Sequence, residues 1–198
     1  SLSGAVVRTI GFLGDVYAYH GQAVLVKGDI VAQKNIWLRP YAEFSKTYEE
    51  DGTALFPLLP RVVLDATVRI ADKKFHVLSI HGAWNKDPID TSENVRQAKL
   101  IAKHIKTLGD ELFLLGGDLN LTPKSRVIQM IDAVARNAMK DSGVKSTLHP
   151  TIHKTAKEKP NGLLVDYIYT SPHFTVKKID VPVVAVSDHL PVLAILSL

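Results

Sequence analysis

Residues 111–120, ELFLLGGDLN, carry the strongest fold signal in this sequence. The first half, residues 111–115, is an apolar run that two glycines end, a pattern typical of a buried central strand. The polar residues Asp118 and Asn120 come directly after it. Because ligand sites in layered α/β folds form where strands end, this stretch predicts both a central strand and a site beside it.

The rest of the chain supplies further strands and two helices. The first helix has Ser92 as its predicted N-cap and Gly109 as its stop. The second is predicted to begin at Thr122-Pro123, with an apolar stripe through residues 127, 128, 131 and 134. The polar stretch 147–162 is predicted to be a long loop. Together these elements predict an α/β fold, a mixed sheet packed under helices. The other predicted strands are residues 22–27, 62–70, 75–80, 165–170, 174–179, 181–186 and 192–196.

Composition places the chain among globular proteins and excludes several chemistries. Its 198 residues, 46% of them apolar and 22% charged, predict a single domain with a sizeable core. The absence of cysteine excludes disulfide scaffolds, thiolate zinc sites and cysteine nucleophiles. No apolar run long enough for a membrane span and no signal-peptide pattern is present, so we expect a cytoplasmic location. The net charge of +4 is compatible with a polyanionic partner such as nucleic acid.

Two pairs of histidines are poor candidates for a metal site. His76 and His81 lie in one predicted strand, and their odd spacing places them on opposite faces of the sheet. His149 and His153 have helical spacing, but Pro150 lies between them. For that pair, loop histidines are the favoured interpretation over zinc ligands.

Four polar clusters, each at or near the end of an apolar strand, form the candidate site. Carboxylate and amide oxygens, as in Asp118, Asn120 and Asp188, favour Mg²⁺ or Mn²⁺ over zinc. A histidine oriented by a carboxylate can accept a proton from water. This combination suits hydrolysis of phosphate esters. The clusters consist of His81, of Asp118 and Asn120, of Asp166, and of Asp188 and His189.

Each candidate also has a plain structural interpretation. Asp118 could end its strand and cap the next segment, and Asn120 could be a turn residue. His81 alone is more often a core or edge histidine, and residues 188–191 could be a turn between strands. Asp166, inside an apolar strand, is harder to dismiss because a buried carboxylate needs a partner. The site would be absent only if all of these structural interpretations were true at the same time.

In order and spacing, the motifs resemble the endonuclease/exonuclease/phosphatase superfamily over about residues 20–198. The H-G-x-W context and Leu121-Thr122-Pro123 are similar to a compact bacterial branch with no assigned substrate. The matching pieces are Gly21-Gln22-Ala23-Val24-Leu25-Val26, His81, Gly117-Asp118-Leu119-Asn120, Asp166-Tyr167-Ile168 and Ser187-Asp188-His189-Leu190-Pro191.

The resemblance implies a four-layer α/β sandwich, with mixed sheets flanked by helices, and a metal-dependent phosphoesterase. Asp118 would position or activate the attacking water, and Asn120 would contact phosphate or metal. His189, oriented by Asp166, would act as base or transition-state stabiliser. Asp188 would bind the metal together with Asp118 and Asn120, and His81 would contact the scissile phosphate.

The amino terminus departs from the family pattern. The family opens with a strand ending in Asn, a helix, and a strand ending in Gln-Glu whose Glu binds metal. Here Asn35 and Glu43 both come after the strand at 22–27 and occupy neither place. We therefore expect an N-terminally incomplete fold with weak Mg²⁺ or Mn²⁺ binding. A non-catalytic binding domain is the alternative. Nucleic acid, phospholipid head groups and inositol phosphates all remain possible substrates, and no oligomeric state is predicted.

Overall fold

The computed structural model describes residues 3–13, 16–40, 59–85 and 87–198. None of the helices in these residues is long and apolar enough to cross a membrane. The strands at 3–13 and 29–39 were not predicted from the sequence. In chain order the elements are β1 (Ser3–Leu13), β2 (Val16–Val26), β3 (Asp29–Arg39), β4 (Arg61–Ile70), β5 (Lys73–His81), α1 (Ser92–Leu108), β6 (Phe113–Asp118), α2 (Arg126–Asp132), β7 (Arg136–Asn137), β8 (Asp166–Thr170), β9 (Thr175–Asp180) and β10 (Leu193–Ser197).

The main sheet has six strands in the order β3-β4-β5-β6-β8-β7. Only β5 and β6 run parallel, and the other neighbours are antiparallel. The predicted strand at 111–115 is therefore central, although it begins at Phe113 and continues to Asp118. Phe113 and Leu115 are buried toward the helices, and Leu114 on the other face is half-buried. Apolar residues on both faces suit this interior position.

Two apolar clusters lie on opposite faces of β4. Val63 belongs to the larger cluster, which joins the sheet to α1 and α2. Leu64 and Val68 belong to the smaller one, which joins β4 to Val24 of β2. Alternating side chains of one strand thus enter two separate layers. This arrangement is the α/β sandwich that was predicted, and in the described residues the first helix is α1.

Helix α1 covers the main sheet as predicted, but its N-cap is Thr91 instead of Ser92. The Thr91 hydroxyl accepts the backbone N–H of Asn94, and the Asn94 side chain accepts the N–H of Thr91. This reciprocal capping box satisfies two donors, which Ser92 one residue later would leave open. Ile101 and Ile105 are buried against the sheet, and Gly109, with φ of 58°, ends the helix.

Helix α2 begins at Arg126, so the predicted start at Thr122-Pro123 is wrong. Those residues form a turn in which the Ser125 N–H donates to the Thr122 carbonyl at 2.9 Å. Ser125 is the cap and accepts N–H groups of the first turn. Asp90 adds a second acceptor, 2.8 Å from the Arg126 N–H. These two acceptors fix the helix start, and Val134 of the predicted stripe lies beyond the helix end.

The segment 181–186 is not a strand, contrary to the prediction. It connects β9 to β10, which pair antiparallel as a separate two-stranded sheet. Pro182 lacks the N–H that a ladder needs, and Val183 and Val186 are exposed. A β-branched run is therefore not sufficient for a strand here. The predicted loop at 147–162 consists of successive turns, as expected.

Candidate active site

Three strands deliver the candidate residues to one edge of the main sheet. Strands β5 and β6 are parallel, and their last residues, His81 and Asp118, are register partners. Strand β8 runs antiparallel to β6, so its first residue, Asp166, lies opposite Asp118. The parallel ends and the antiparallel start therefore meet at the same edge, as predicted for His81, Asp118 and Asp166.

The backbone after β6 is shaped by a glycine and an asparagine. Gly117 has φ of 143°, and a Cβ there would lie 1.9 Å from the Ile80 carbonyl oxygen. Asn120 has φ of 56°, and its N–H donates to Oδ1 of Asp118 at 2.7 Å. The Asn120 amide also donates to the Gly82 carbonyl at 3.2 Å. Asn120 is thus a turn residue, and it holds the Asp118 carboxylate in a fixed position.

Asp118 lies in an environment that favours its protonated form. Burial, and then the nearby Asp166 carboxylate, raise the pKa of Asp118 to about 7. Nε2 of His81 lies 3.6 Å from Oδ2 of Asp118, which is beyond an ordinary hydrogen bond. A carboxyl with its pKa near neutrality is poised to exchange protons with water.

Asp166 and His189 form the predicted carboxylate–histidine pair. Oδ2 of Asp166 lies 2.9 Å from Nδ1 of His189, and this hydrogen bond is the main cause that raises the pKa of His189 to about 9. The Thr147 hydroxyl accepts the N–H of Asp166 at 3.1 Å, and the segment of His189 bridges to Leu148. The loop that begins at Thr147 therefore fixes both partners.

Two groups of side chains at this edge have metal-ligand spacing. The ligand atoms of Asp118, Asp166 and His189 lie within 4.8 Å of one another. Asp188, whose side chain is half exposed, makes a second such group with His189 and His153. Neither group contains a glutamate among the described residues.

The predicted residues therefore lie together, with Asp188 at the exposed rim. The segment 187–191 is a bend followed by the bridge of His189 to Leu148, and it brings Asp188 and His189 to the site. Asn35 lies exposed on β3, away from this edge, and Glu43 lies outside the described residues.

Sequence reasoning missed two residues near this edge. Arg61, at the start of β4, is 3% exposed, and its Nη1 has no hydrogen-bond partner among the described residues. Burial lowers the pKa of Arg61 to about 10, and the charge of Asp118 opposes that shift. His153 was set aside as a loop histidine, yet its ring lies 5.5 Å from that of His189. The only sequence signal for Arg61 was its position directly ahead of the apolar run of β4.

His76 belongs to a separate network on the helix side of the sheet. Its Nδ1 lies 2.8 Å from Asp65, which also contacts Nε2 of His104 at 2.8 Å. His81 lies at the candidate site, 3.6 Å from Asp118, so the two histidines of β5 are separated as predicted. The network links α1 to β4 and β5, and we assign it a structural role.

A known protein family matches most of this chain. The profile described as "Endonuclease/Exonuclease/phosphatase family" matches residues 4–189. The chain belongs to this family. The family match begins earlier than residue 20, where the recognised motifs begin, and it includes β1. No functionally curated protein matches the chain.

Solved structures of the family share the fold. An endonuclease/exonuclease/phosphatase from Bacteroides vulgatus superimposes with a TM-score of 0.72 at 22% identity, over 100% of this chain and 76% of its own. The Bacteroides thetaiotaomicron mannosyl-6-phosphatase gives 0.69 at 20% identity, over 98% and 77%. The human Nocturnin catalytic domain, with bound sulfate, gives 0.69 at 14% identity, over 99% and 72%. At these identities the likeness concerns the fold.

Proposed function

We propose that this chain hydrolyses a phosphate ester by attack of water, with the help of a divalent metal ion. The observation that carries the proposal is the grouping of Asp118, Asp166 and His189 within 4.8 Å at one sheet edge. Family members are metal-dependent phosphoesterases, and the resemblance of the motifs implies that these residues serve that chemistry here.

The residue types at this edge suit a divalent cation. Three carboxylates, on Asp118, Asp166 and Asp188, provide hard oxygen ligands of the kind that Mg²⁺ and Mn²⁺ prefer. Burial first, and then the charge of Asp166, raise the pKa of Asp118, and a nearby cation would offset both by favouring the ionised carboxylate. Asp188, Asp118 and Asn120 are the proposed metal-binding residues. When bound, the ion would neutralise charge on the phosphate oxygens.

The protein groups divide the remaining work. We assign Asp118 to position the attacking water and take its proton, since its pKa lies near neutrality. His189 carries a proton on Nδ1 toward Asp166, and its raised pKa favours a donor that binds phosphate oxygen over a base. His81, 3.6 Å from Asp118, is placed to contact the scissile phosphate.

Two substrate classes fit this site, phosphomonoesters and phosphodiesters. The mannosyl-6-phosphatase among the similar folds is named for a monoester, whereas the family name also covers nucleases. The net charge of +4 makes a nucleic acid acceptable as a partner. A non-catalytic binding domain is the second candidate, because the described metal groups contain no glutamate.

A substrate panel tests the proposal. The purified chain is incubated with an aryl phosphomonoester, an aryl phosphodiester and single-stranded DNA, each with Mg²⁺, with Mn²⁺ and with chelator. We expect at least one of these substrates to be hydrolysed, and we expect that hydrolysis to require the metal ion. Phosphate binding without turnover of any substrate would favour the non-catalytic alternative.

A further inference from the structure

We propose that His153 binds the substrate's phosphate by donating a hydrogen bond from Nε2, and that it is not a metal ligand. This inference rests on the proposed function and adds a substrate-binding residue to it. His153 lies on the loop between β7 and β8, outside the motifs that revealed the site. Its spacing to Asp188 and His189 would otherwise suggest a metal-binding group.

The loop backbone fixes which ring nitrogen of His153 carries the proton. The Thr155 N–H lies 3.2 Å from Nδ1 of His153, and a backbone N–H can only donate. Nδ1 must therefore be the acceptor, and the neutral ring carries its proton on Nε2. A metal ligand needs a lone pair on the nitrogen that faces the metal. The Nε2–H of His153 has none, so it can only donate.

The Nε2–H of His153 faces the candidate site without a partner in the described part of the chain. It lies 4.0 Å from Oδ2 of Asp188, which is too far for a hydrogen bond. The ring meets His189 edge to face, with centroids 5.5 Å apart. Its side chain is only 12% exposed, so little water reaches this donor from other directions. A half-buried donor beside the proposed phosphate position is available to an anionic oxygen.

The residue after His153, Lys154, links this loop to Trp84. Nζ of Lys154 lies 5.1 Å from the centre of the Trp84 ring, a cation–π contact. Trp84 is three residues after His81, so the loop is held across the end of β5. Lys154 directly follows His153, so this contact helps to hold the loop that carries His153. The metal is then left to the proposed metal-binding residues Asp118, Asn120 and Asp188.

Two substitutions separate the donor from the loop cap. His153→Asn keeps an acceptor near the position of Nδ1, so it can still receive the Thr155 N–H, but it has no donor at the Nε2 position. His153→Gln places an amide donor near the Nε2 position and loses the acceptor. Both variants and the wild type are titrated with inorganic phosphate by calorimetry, and with Mn²⁺ by electron paramagnetic resonance. Hydrolysis is measured as separate kcat and KM values.

We expect His153→Asn to weaken phosphate binding and raise KM by about tenfold, with Mn²⁺ affinity unchanged. His153→Gln should stay closer to the wild type in phosphate affinity while melting at a lower temperature. Wild-type phosphate affinity in His153→Asn would overturn the proposal and leave a purely structural loop cap. Loss of Mn²⁺ affinity in His153→Asn would overturn it in favour of a metal ligand. If instead the proposed function is wrong, the wild type itself will show no metal-dependent hydrolysis, which distinguishes that failure from failure of the His153 proposal.

Discussion

Nδ1 of His189 lies 2.9 Å from Oδ2 of Asp166, and this contact fixes the proton of the ring. Because a carboxylate only accepts, Nδ1 donates, and Nε2 is left as the nitrogen available for chemistry. The pair joins the first residue of β8 to the segment between β9 and β10. Two segments far apart in sequence are thereby coupled at the candidate site.

Replacing Asp166 with Asn should lower the pKa of His189. The hydrogen bond and charge of Asp166 raise that pKa to about 9, so their loss moves it toward the ordinary value of about 6.5. The measurement is an NMR titration of the His189 ring in the metal-free chain, with its resonances assigned by comparison with His189→Ala. A pKa that stays near 9 in Asp166→Asn would show that another group controls the ring.

Replacing Asp118 with Asn, or His189 with Ala, should abolish hydrolysis. The first change removes the group that we propose to accept the proton of the water, and the second removes the proposed hydrogen-bond donor to phosphate. We expect a fall in kcat of at least about 100-fold for each. Asp72→Asn is the matched control, since Asp72 is exposed in the turn between β4 and β5, at the opposite end of β5 from His81. Equal rates for Asp118→Asn and Asp72→Asn would remove Asp118 from the mechanism.

Asp65 should contribute stability that disappears in acid. Its burial raises the pKa, but hydrogen bonds from His104 and His76 outweigh burial and leave the pKa below the ordinary value. The stabilisation is therefore present above about pH 4 and is lost as the pH falls through the lowered folded pKa.

The test uses Asp65→Asn, which should lower the free energy of unfolding by about 3 kcal/mol at neutral pH. The difference from wild type should shrink as the pH falls below about 4. Urea unfolding across this range measures it, with Asp72→Asn as the exposed control. A difference that stays constant down to about pH 2 would contradict the role of the ionised carboxylate.

Gly117→Ala should destabilise the fold far more than Gly109→Ala. A Cβ at Gly117 would overlap the Ile80 carbonyl oxygen at 1.9 Å, and φ is 143°. Gly109 also has positive φ, at 58°, but nothing lies within 4 Å of its added Cβ. We expect about 1 kcal/mol for Gly109→Ala and more than about 3 kcal/mol for Gly117→Ala. Similar losses in the two variants would mean that β6 does not approach β5 this closely.

The parts of the fold that repeat a simple pattern could be predicted from the sequence. The apolar run before Gly116 does lie in the central strand, and the stripe through Ile101 and Ile105 does face the sheet. Helix caps were harder to predict from the sequence, because the start of α2 depends on Asp90, a residue distant in sequence. The predicted strand at 181–186 was wrong because β-branched residues favour a strand only where a neighbouring strand is available for pairing.

The candidate site was predictable where its residues lie directly at strand ends. His81, Asp118 and Asp166 are brought together by strand register alone. His153 was not accessible in this way, because a loop of successive turns places it beside His189. Arg61 reaches Asp118 from a strand two positions away in the sheet, which no local pattern encodes.

A manganese titration of hydrolysis tests the central claim most directly. The rate is measured on an aryl phosphate ester for the wild type and Asp118→Asn, from chelator to about 10 mM Mn²⁺. We predict that the wild type is inactive in chelator and that its rate rises with Mn²⁺ to half its maximum at about 1 mM. Asp118→Asn should be inactive at every Mn²⁺ concentration. Weak saturation is expected because the described metal groups contain no glutamate. Hydrolysis that persists in chelator and survives the Asp118→Asn substitution would contradict the account.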